Sequence, residues 1–148
     1  MEDFRYDDTR RDGEYVRFDT SDHPAYPFRL SARDLARFGL LFLRGGRWGA
    51  EQVIPEKWVR MSTRSYSPAG ERGGYGYMWW VAVDDVHFPN VSVPPGTYSA
   101  RGAGGHYVVV VPSADLVVVH RADTDADRKV EGLGFARLIE AILAARRA

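Results

Sequence analysis

Residues 98–121, YSARGAGGHYVVVVPSADLVVVHR, place two unbroken apolar runs on either side of the tetrapeptide PSAD. Each run is too short for a helix, rich in β-branched residues and bounded by turn formers, which predicts a hairpin over 107–111 and 116–120. Neither run alternates apolar with polar. The hairpin is therefore expected to be covered on both faces and to sit centrally in its sheet. Directly ahead of it stand Gly102, Gly104 and Gly105, a cluster that asks what approaches the backbone so closely there.

Helices to cover that hairpin can be read on both sides of it. Upstream, SARDLARFGLLFLRGG (31–46) begins with Ser31 as N-cap and Asp34 three residues later, and it stops at Gly45-Gly46. Leu35, Phe38, Leu41 and Phe42 form its apolar face, and Arg33, Arg37 and Arg44 the opposite one. Downstream, 129–146 reads as a second helix with Phe135, Leu138, Ile139 and Ile142 on one side and basic residues at its end. Between them, a tight turn at RWGAEQ leads to a short helix starting at Pro55. A Ser/Gly/Pro loop follows at 62–74, then an aromatic strand over 75–83 and a proline-bearing loop over 84–97. Residues 1–29 show neither period and read as an extended, partly packed arm. The economical arrangement is one domain over 1–148, an α/β fold of the α+β kind with an antiparallel sheet flanked by helices.

Bulk properties exclude several function classes. The 148 residues could bury roughly two thirds of their unfolded surface, and 45% hydrophobic with 27% charged content is ordinary for a globular chain. Twenty basic residues balance twenty acidic ones, so no nucleic-acid partner is expected. With no cysteine there is no thiolate metal site and no cysteine nucleophile. No apolar run approaches the ~20 residues of a membrane span, and the charged start MEDFRYDDTRRDGEY does not resemble a signal peptide, so no membrane partner is expected.

Each local motif has a structural explanation beside a functional one. A phosphate cradle follows a strand and opens a helix, but the Gly102–Gly105 region runs into a strand. Two readings remain: a bulge or crossing at a sheet edge, or an edge presenting bare N–H groups to a substrate carbonyl. His106 lies beside these glycines and is the histidine with most claim to touch a substrate. His23, His87 and His120 have less. Asp123, Asp125 and Asp127 stand at calcium-loop spacing, yet the sixth and twelfth positions are Arg128 and Gly134 rather than glycine and glutamate. These acids are expected at a helix N-terminus. No Gly-x-Ser-x-Gly occurs, and neither Lys57 nor Lys129 follows a serine at Ser-x-x-Lys spacing. Ser99 adjoins the glycine cluster, but no lysine lies near it in sequence.

Three blocks, LSARDLARFGLLFLRGGRWGAEQVIPEKWV, GYGYMWW and ARGAGGHYVVVVPSADLVVVHR, together with MEDF at the start, resemble the C-terminal half of the serine beta-lactamase-like superfamily. That superfamily includes class C beta-lactamases, penicillin-binding proteins, esterases and 6-aminohexanoate-dimer hydrolases. The resemblance implies a partial beta-lactamase/transpeptidase-like fold and no cofactor or metal. It implies attack by serine on a small-molecule amide or ester through an acyl-enzyme. The family's Ser-x-x-Lys and Tyr-x-Asn elements lie before the matched region and are absent here, so no catalytic nucleophile is assigned. By position, Arg101, Gly102, Ala103, Gly104, Gly105 and His106 look like the Lys-Thr-Gly element on the strand lining the site. A backbone N–H near Gly104 or Gly105 would then form half of the oxyanion hole, and Arg101 and His106 would touch substrate. The expected partners are an N-terminal half or a second copy. The rival expectation is a non-catalytic domain on the same scaffold that binds a ligand or another chain.

Overall fold

The computed structural model describes residues 1–9 and 28–146, so most of the expected 1–29 arm lies outside the described residues. In chain order the elements are α1 (Ala32–Leu43), β1 (Arg47–Trp48), β2 (Glu51–Gln52), α2 (Glu56–Ser62), β3 (Ser67–Pro68), β4 (Gly74–Tyr75) and β5 (Trp80–Val81). They continue with β6 (Val86–Phe88), β7 (Val91–Ser92), β8 (Tyr98–Gly102), β9 (His106–Val111), β10 (Leu116–His120) and α3 (Gly132–Ala145). An antiparallel sheet of order β10-β9-β8-β5-β4-β3 carries the fold, and β1-β2 and β6-β7 form separate hairpins.

The valine hairpin is sandwiched as its composition requires. Val109 and Val111 pack with Phe135, Ala136, Ile139 and Leu143 of α3, under a cover made by Phe88, Val91 and Val93. Val110 faces the other way, into a cluster with Phe42, Val59, Trp79, Val81 and Tyr98. Val109 and Val110 are completely buried, and each such side chain contributes about 1.5–3 kcal/mol relative to exposure. The close approach of α1 depends on Gly39, because a Cβ there would lie 2.6 Å from Val117 Cγ1.

The hairpin is not central, however. β10 is an edge strand and pairs only with β9, which leaves Val117 and Val118 half-buried. Both faces are covered by helices, and apolar continuity reports facial burial rather than position across the sheet. The expected strand over 75–83 is also interrupted. β4 and β5 are two short strands joined by a reversal at residues 76–79, where Gly76 N–H donates to the Trp79 carbonyl and Met78 has φ 65°. A side chain at Gly76 would strike the carbonyls of Ser62 and Arg64 at 2.4 and 2.5 Å. The expected loop over 84–97 contains the β6-β7 hairpin, whose Phe88 and Val91 are core.

Helix ends follow their local chemistry. The Ser31 side chain accepts the Asp34 N–H, and Gly45 and Gly46 take positive φ at the C-terminus of α1. The Asp34 carboxylate does not complete a capping box. It accepts the N–H groups of Glu2 and Asp3 instead. In α3 the buried face is Phe135, Ala136, Ile139 and Leu143, while Leu138 is exposed. The stripe is thus rotated from the expected 135/138/139/142 set, because 135, 139 and 143 repeat at i+4 toward the sheet. Asp123 accepts the Ala126 N–H and caps a 3-10 turn rather than a helix.

Candidate functional site

The segment 101–106 is not one strand. Tyr98–Gly102 forms β8, Gly104 and Gly105 lie in the turn, and His106 opens β9. Gly104 and Gly105 have φ of 80° and 100°, the left-handed region that glycine adopts without strain. The chain's own 124–130 segment is what presses on them. A Cβ on Gly104 would lie 2.4 Å from Thr124 Cγ2, and one on Gly105 would lie 2.9 Å from Val130 Cβ and from its carbonyl. The Gly104 carbonyl accepts the Val130 N–H, and the Gly105 carbonyl accepts from His120 Nδ1 at 2.7 Å. Gly102 and Ala103 are exposed.

The open backbone edge lies one step earlier. β5 pairs with β8 only at Val81–Tyr98 and Trp80–Ser99, so Ala100, Arg101 and Gly102 pair with β9 alone. Ala82 N–H donates to the Thr97 carbonyl, which fixes which residues turn their polar groups toward β5. By strand alternation these are Thr97, Ser99 and Arg101. The Arg101 N–H therefore points to the side on which β5 has already ended.

Side chains on β8 divide by face. Tyr98 meets Trp79 edge-on at 5.1 Å in the α1 cluster, and burial pushes its phenol well above the usual range. On the opposite face, Ser99 is fully buried and its Oγ lies 2.9 Å from both His87 Nε2 and Arg101 Nε. The Ser99 hydroxyl accepts from Arg101 Nε–H and shares a second hydrogen bond with His87 Nε2. His87 Nδ1 is buried without a partner among the described residues. Burial first, then the Arg101 charge, push His87 down to about 3, so the ring is neutral. Ser99 and His87 have the spacing of a nucleophile and its base, but a fully enclosed hydroxyl cannot meet a substrate.

Arg101 also donates through Nη2 to the His87 carbonyl at 2.6 Å. Its guanidinium carbon lies 5.0 Å from the Trp80 ring centre and 4.7 Å from that of Phe88. Burial, opposed by Tyr107 and reinforced by Arg72, brings it down to about 10. His106 projects from the other face, since the pairs Arg101–Tyr107 and Gly102–His106 are consecutive. Its Nδ1 accepts from Arg121 Nε at 3.1 Å, and burial and the Arg121 and His120 charges lower its pKa. The structure thus brings Arg101 and His106 to one end of a hairpin without making their side chains converge. Arg72 and Trp80, which join Arg101, carry no sequence motif. Reading 98–102 as a strand would have placed Ser99 and Arg101 on a shared face.

Among the described residues no group of three or more His, Asp or Glu side chains could hold a metal ion, and no helix is long and apolar enough to cross a membrane.

Comparison with known proteins gives consistent results. The family model described as Beta-lactamase matches residues 2–138. An uncharacterised protein of Alkalihalophilus pseudofirmus is 26% identical over 95 residues, covering 61% of this chain and 28% of the relative. A solved structure from Bacillus anthracis, assigned as a 6-aminohexanoate-dimer hydrolase, superposes with a TM-score of 0.58 at 20% identity. That match covers 82% of this chain and 30% of the other. The chain therefore spans under a third of the length of these relatives.

Proposed function

The chain belongs to the beta-lactamase family, and from that premise we propose that it acts as the C-terminal portion of a serine hydrolase cleaving amide or ester bonds through an acyl-enzyme. In this reading the nucleophile and its base reside on a separate N-terminal half, and this chain supplies one wall of the site. The observation that carries the reading is the edge of β8 beyond Ser99 on the β5 side, which β5 does not pair. It turns the Arg101 N–H outward at the end of an otherwise paired sheet, where a carbonyl oxygen developing negative charge could accept it. One such preorganised donor lowers the barrier by about 3–4 kcal/mol. Gly102 is exposed beside this edge, while Gly104 and Gly105 hold the turn against residues 124–130 and His106 opens the next strand. The enclosed Ser99 and the absence of Ser-x-x-Lys from the sequence both support placing the nucleophile elsewhere.

Intact-mass analysis after incubation with a fluorophosphonate probe and a fluorescent penicillin tests this. The chain alone is expected to remain unlabelled. Mixed with a separately expressed N-terminal half bearing Ser-x-x-Lys, the label should appear on that half. Stoichiometric labelling of any serine of this chain, Ser62, Ser65, Ser67, Ser99 and Ser113 included, would overturn the reading.

A further inference from the structure

The two edges of the main sheet are built differently. At one end β3 has two residues, and the second is Pro68, which has no N–H to offer a further strand. At the other end β10 presents Leu116–His120, five residues paired to β9 in unbroken register. This strand carries no lysine, proline or bulge, the devices that keep a sheet edge from pairing. Val117, Val118 and Val119 stay half-buried although helices cover both faces, because no strand among the described residues lines the outer side of β10.

Register fixes which backbone groups are free. Thr97, Ser99 and Arg101 turn theirs toward β5, so Tyr98, Ala100 and Gly102 turn theirs toward β9 and meet Val110, Val108 and His106. Tyr107, Val109 and Val111 therefore bond to β10, where they oppose His120, Val118 and Leu116. Val117 and Val119 are left with N–H and carbonyl groups that point away from the sheet. A strand docking there must offer the same alternation, and β10 itself does. In an antiparallel pair with a twofold axis at Val118, Val117 opposes Val119 of the second copy, and each such pair exchanges both N–H···O bonds. The same axis sets exposed Asp115 against exposed Arg121 of the second copy. Arg121 donates to His106 Nδ1 and to the Leu30 carbonyl but has no carboxylate partner among the described residues. Asp115 already holds Arg44, and its two oxygens have lone pairs for a second guanidinium. An axis at Val117 or Val119 would shorten the overlap and lose this charge pair.

We propose that a second copy of this chain docks on β10, antiparallel about Val118, so that the sheet continues across a twofold dimer. The edge is self-complementary, as an isologous interface requires. Its cross-strand pairs, Val117 with Val119 and Val118 with its own copy, are apolar and β-branched, and opposite charges close both ends. The inference goes beyond the hydrolase reading and uses none of it.

Sedimentation equilibrium of the full chain over ~1–100 µM should show a monomer–dimer equilibrium. Hydrogen exchange of the Val117 and Val119 amides should slow as the dimer fills, while Val118, already bonded to β9, changes little. Val119→Pro removes an outward donor on both sides of the axis and should weaken the dimer roughly thirtyfold. The chain has no cysteine, which allows a register test independent of that variant's folding. Val118→Cys sets like residues opposite each other in a non-hydrogen-bonded pair, ~4.5 Å apart at Cα and within disulfide reach, and should cross-link on mild oxidation. Val117→Cys and Val119→Cys set them two residues out of register, ~7 Å or more apart, and should not. A chain that stays monomeric, a dimer whose Val117 and Val119 amides exchange as in the monomer, or equal cross-linking at 117, 118 and 119 would each overturn the proposal. So would protection of those amides in the monomer, which would mean that the chain covers its own edge. Protection gained only with the separately expressed N-terminal half would overturn it too, by giving the edge to that half.

Discussion

β9 and β5 lie in the same sheet with only β8 between them, yet they are held in opposite ways. β9 has six residues, paired along both edges, with α1 on one face and α3 on the other. β5 has two, and its neighbourhood is fixed by a reversal at Met78, by Tyr77 N–H bonded to the Ser62 carbonyl, and by aromatic stacks that remain exposed. A fold of this kind stores its stability in strands of the first sort and presents chemistry beside strands of the second. Burial on two faces leaves no polar group free, whereas short strands end and release backbone donors such as that of Arg101.

The largest test truncates the two-faced side. The Phe135 ring stacks on Tyr107 at 3.8 Å and 2° and meets Phe88 at 5.5 Å. Phe135→Ala should therefore cost roughly 3–5 kcal/mol in urea unfolding. Tyr77→Ala, in the exposed stack with Trp58 and Tyr66, should cost under about 1 kcal/mol. Similar losses at the two positions would make that stack part of the core.

A smaller effect probes the boundary between the regions, where His87 from the β6-β7 hairpin meets Ser99 and Arg101. Its folded value of about 3 lies below the ordinary 6.5. Above pH 6.5 the ring is neutral whether the chain is folded or not, and the full stability is present. As pH falls below 6.5 the unfolded chain takes up a proton that the folded chain refuses, so stability declines at up to about 1.4 kcal/mol per unit. Between pH 6.5 and 5 the loss should reach about 2 kcal/mol. His106 shifts in the same direction, so the part of the slope that disappears in His87→Gln is the measure. An unchanged slope in that variant would show that water reaches the ring and that the boundary is open.

What could be read in advance follows the same division. The valine hairpin, α1 and α3 were legible because apolar residues at a strand or helix period have few alternatives once covered on both sides. The break in 75–83 was not, since YGYMWWVAV is equally aromatic in a straight strand and in one folded at Gly76. The β6-β7 hairpin was concealed by its prolines, although VHFPNVSV alternates. Arg101 was legible through the glycine cluster beside it. Its partners were not, because His87 and Ser99 are twelve residues apart, and Arg72 reaches Trp80 from a 3-10 turn.

The smallest effect concerns how the chain start is held, a third kind of attachment beside burial and stacking. The Asp34 side chain is fully enclosed on α1. It accepts the Glu2 N–H at 3.0 Å, the Asp3 N–H at 3.0 Å and Arg37 Nη1 at 2.8 Å. Asp3 in turn accepts from the Ser31 hydroxyl at 2.7 Å and from Arg33 at 2.8 and 3.0 Å. Burial raises the Asp34 pKa, but the Glu2 N–H, Arg37 and the Asp3 N–H together outweigh it and hold the carboxyl below 3.8. The Ser31 hydroxyl, followed by Arg33, lowers Asp3 in the same way. Both folded values are depressed, so the clasp is complete above pH 3.8 and weakens as pH falls below it. Backbone 15N shifts and order parameters of Glu2 and Asp3 should then approach those of an unattached segment, while β9 signals stay in place. Asp34→Asn should reproduce this at pH 7, because a neutral amide offers one acceptor oxygen where two N–H groups and a guanidinium were held. No core side chain moves, so global unfolding should change less than in either preceding test. Glu2 and Asp3 amides that stay ordered in Asp34→Asn would mean that the start of the chain is held by packing, as β9 is, and not by this carboxylate.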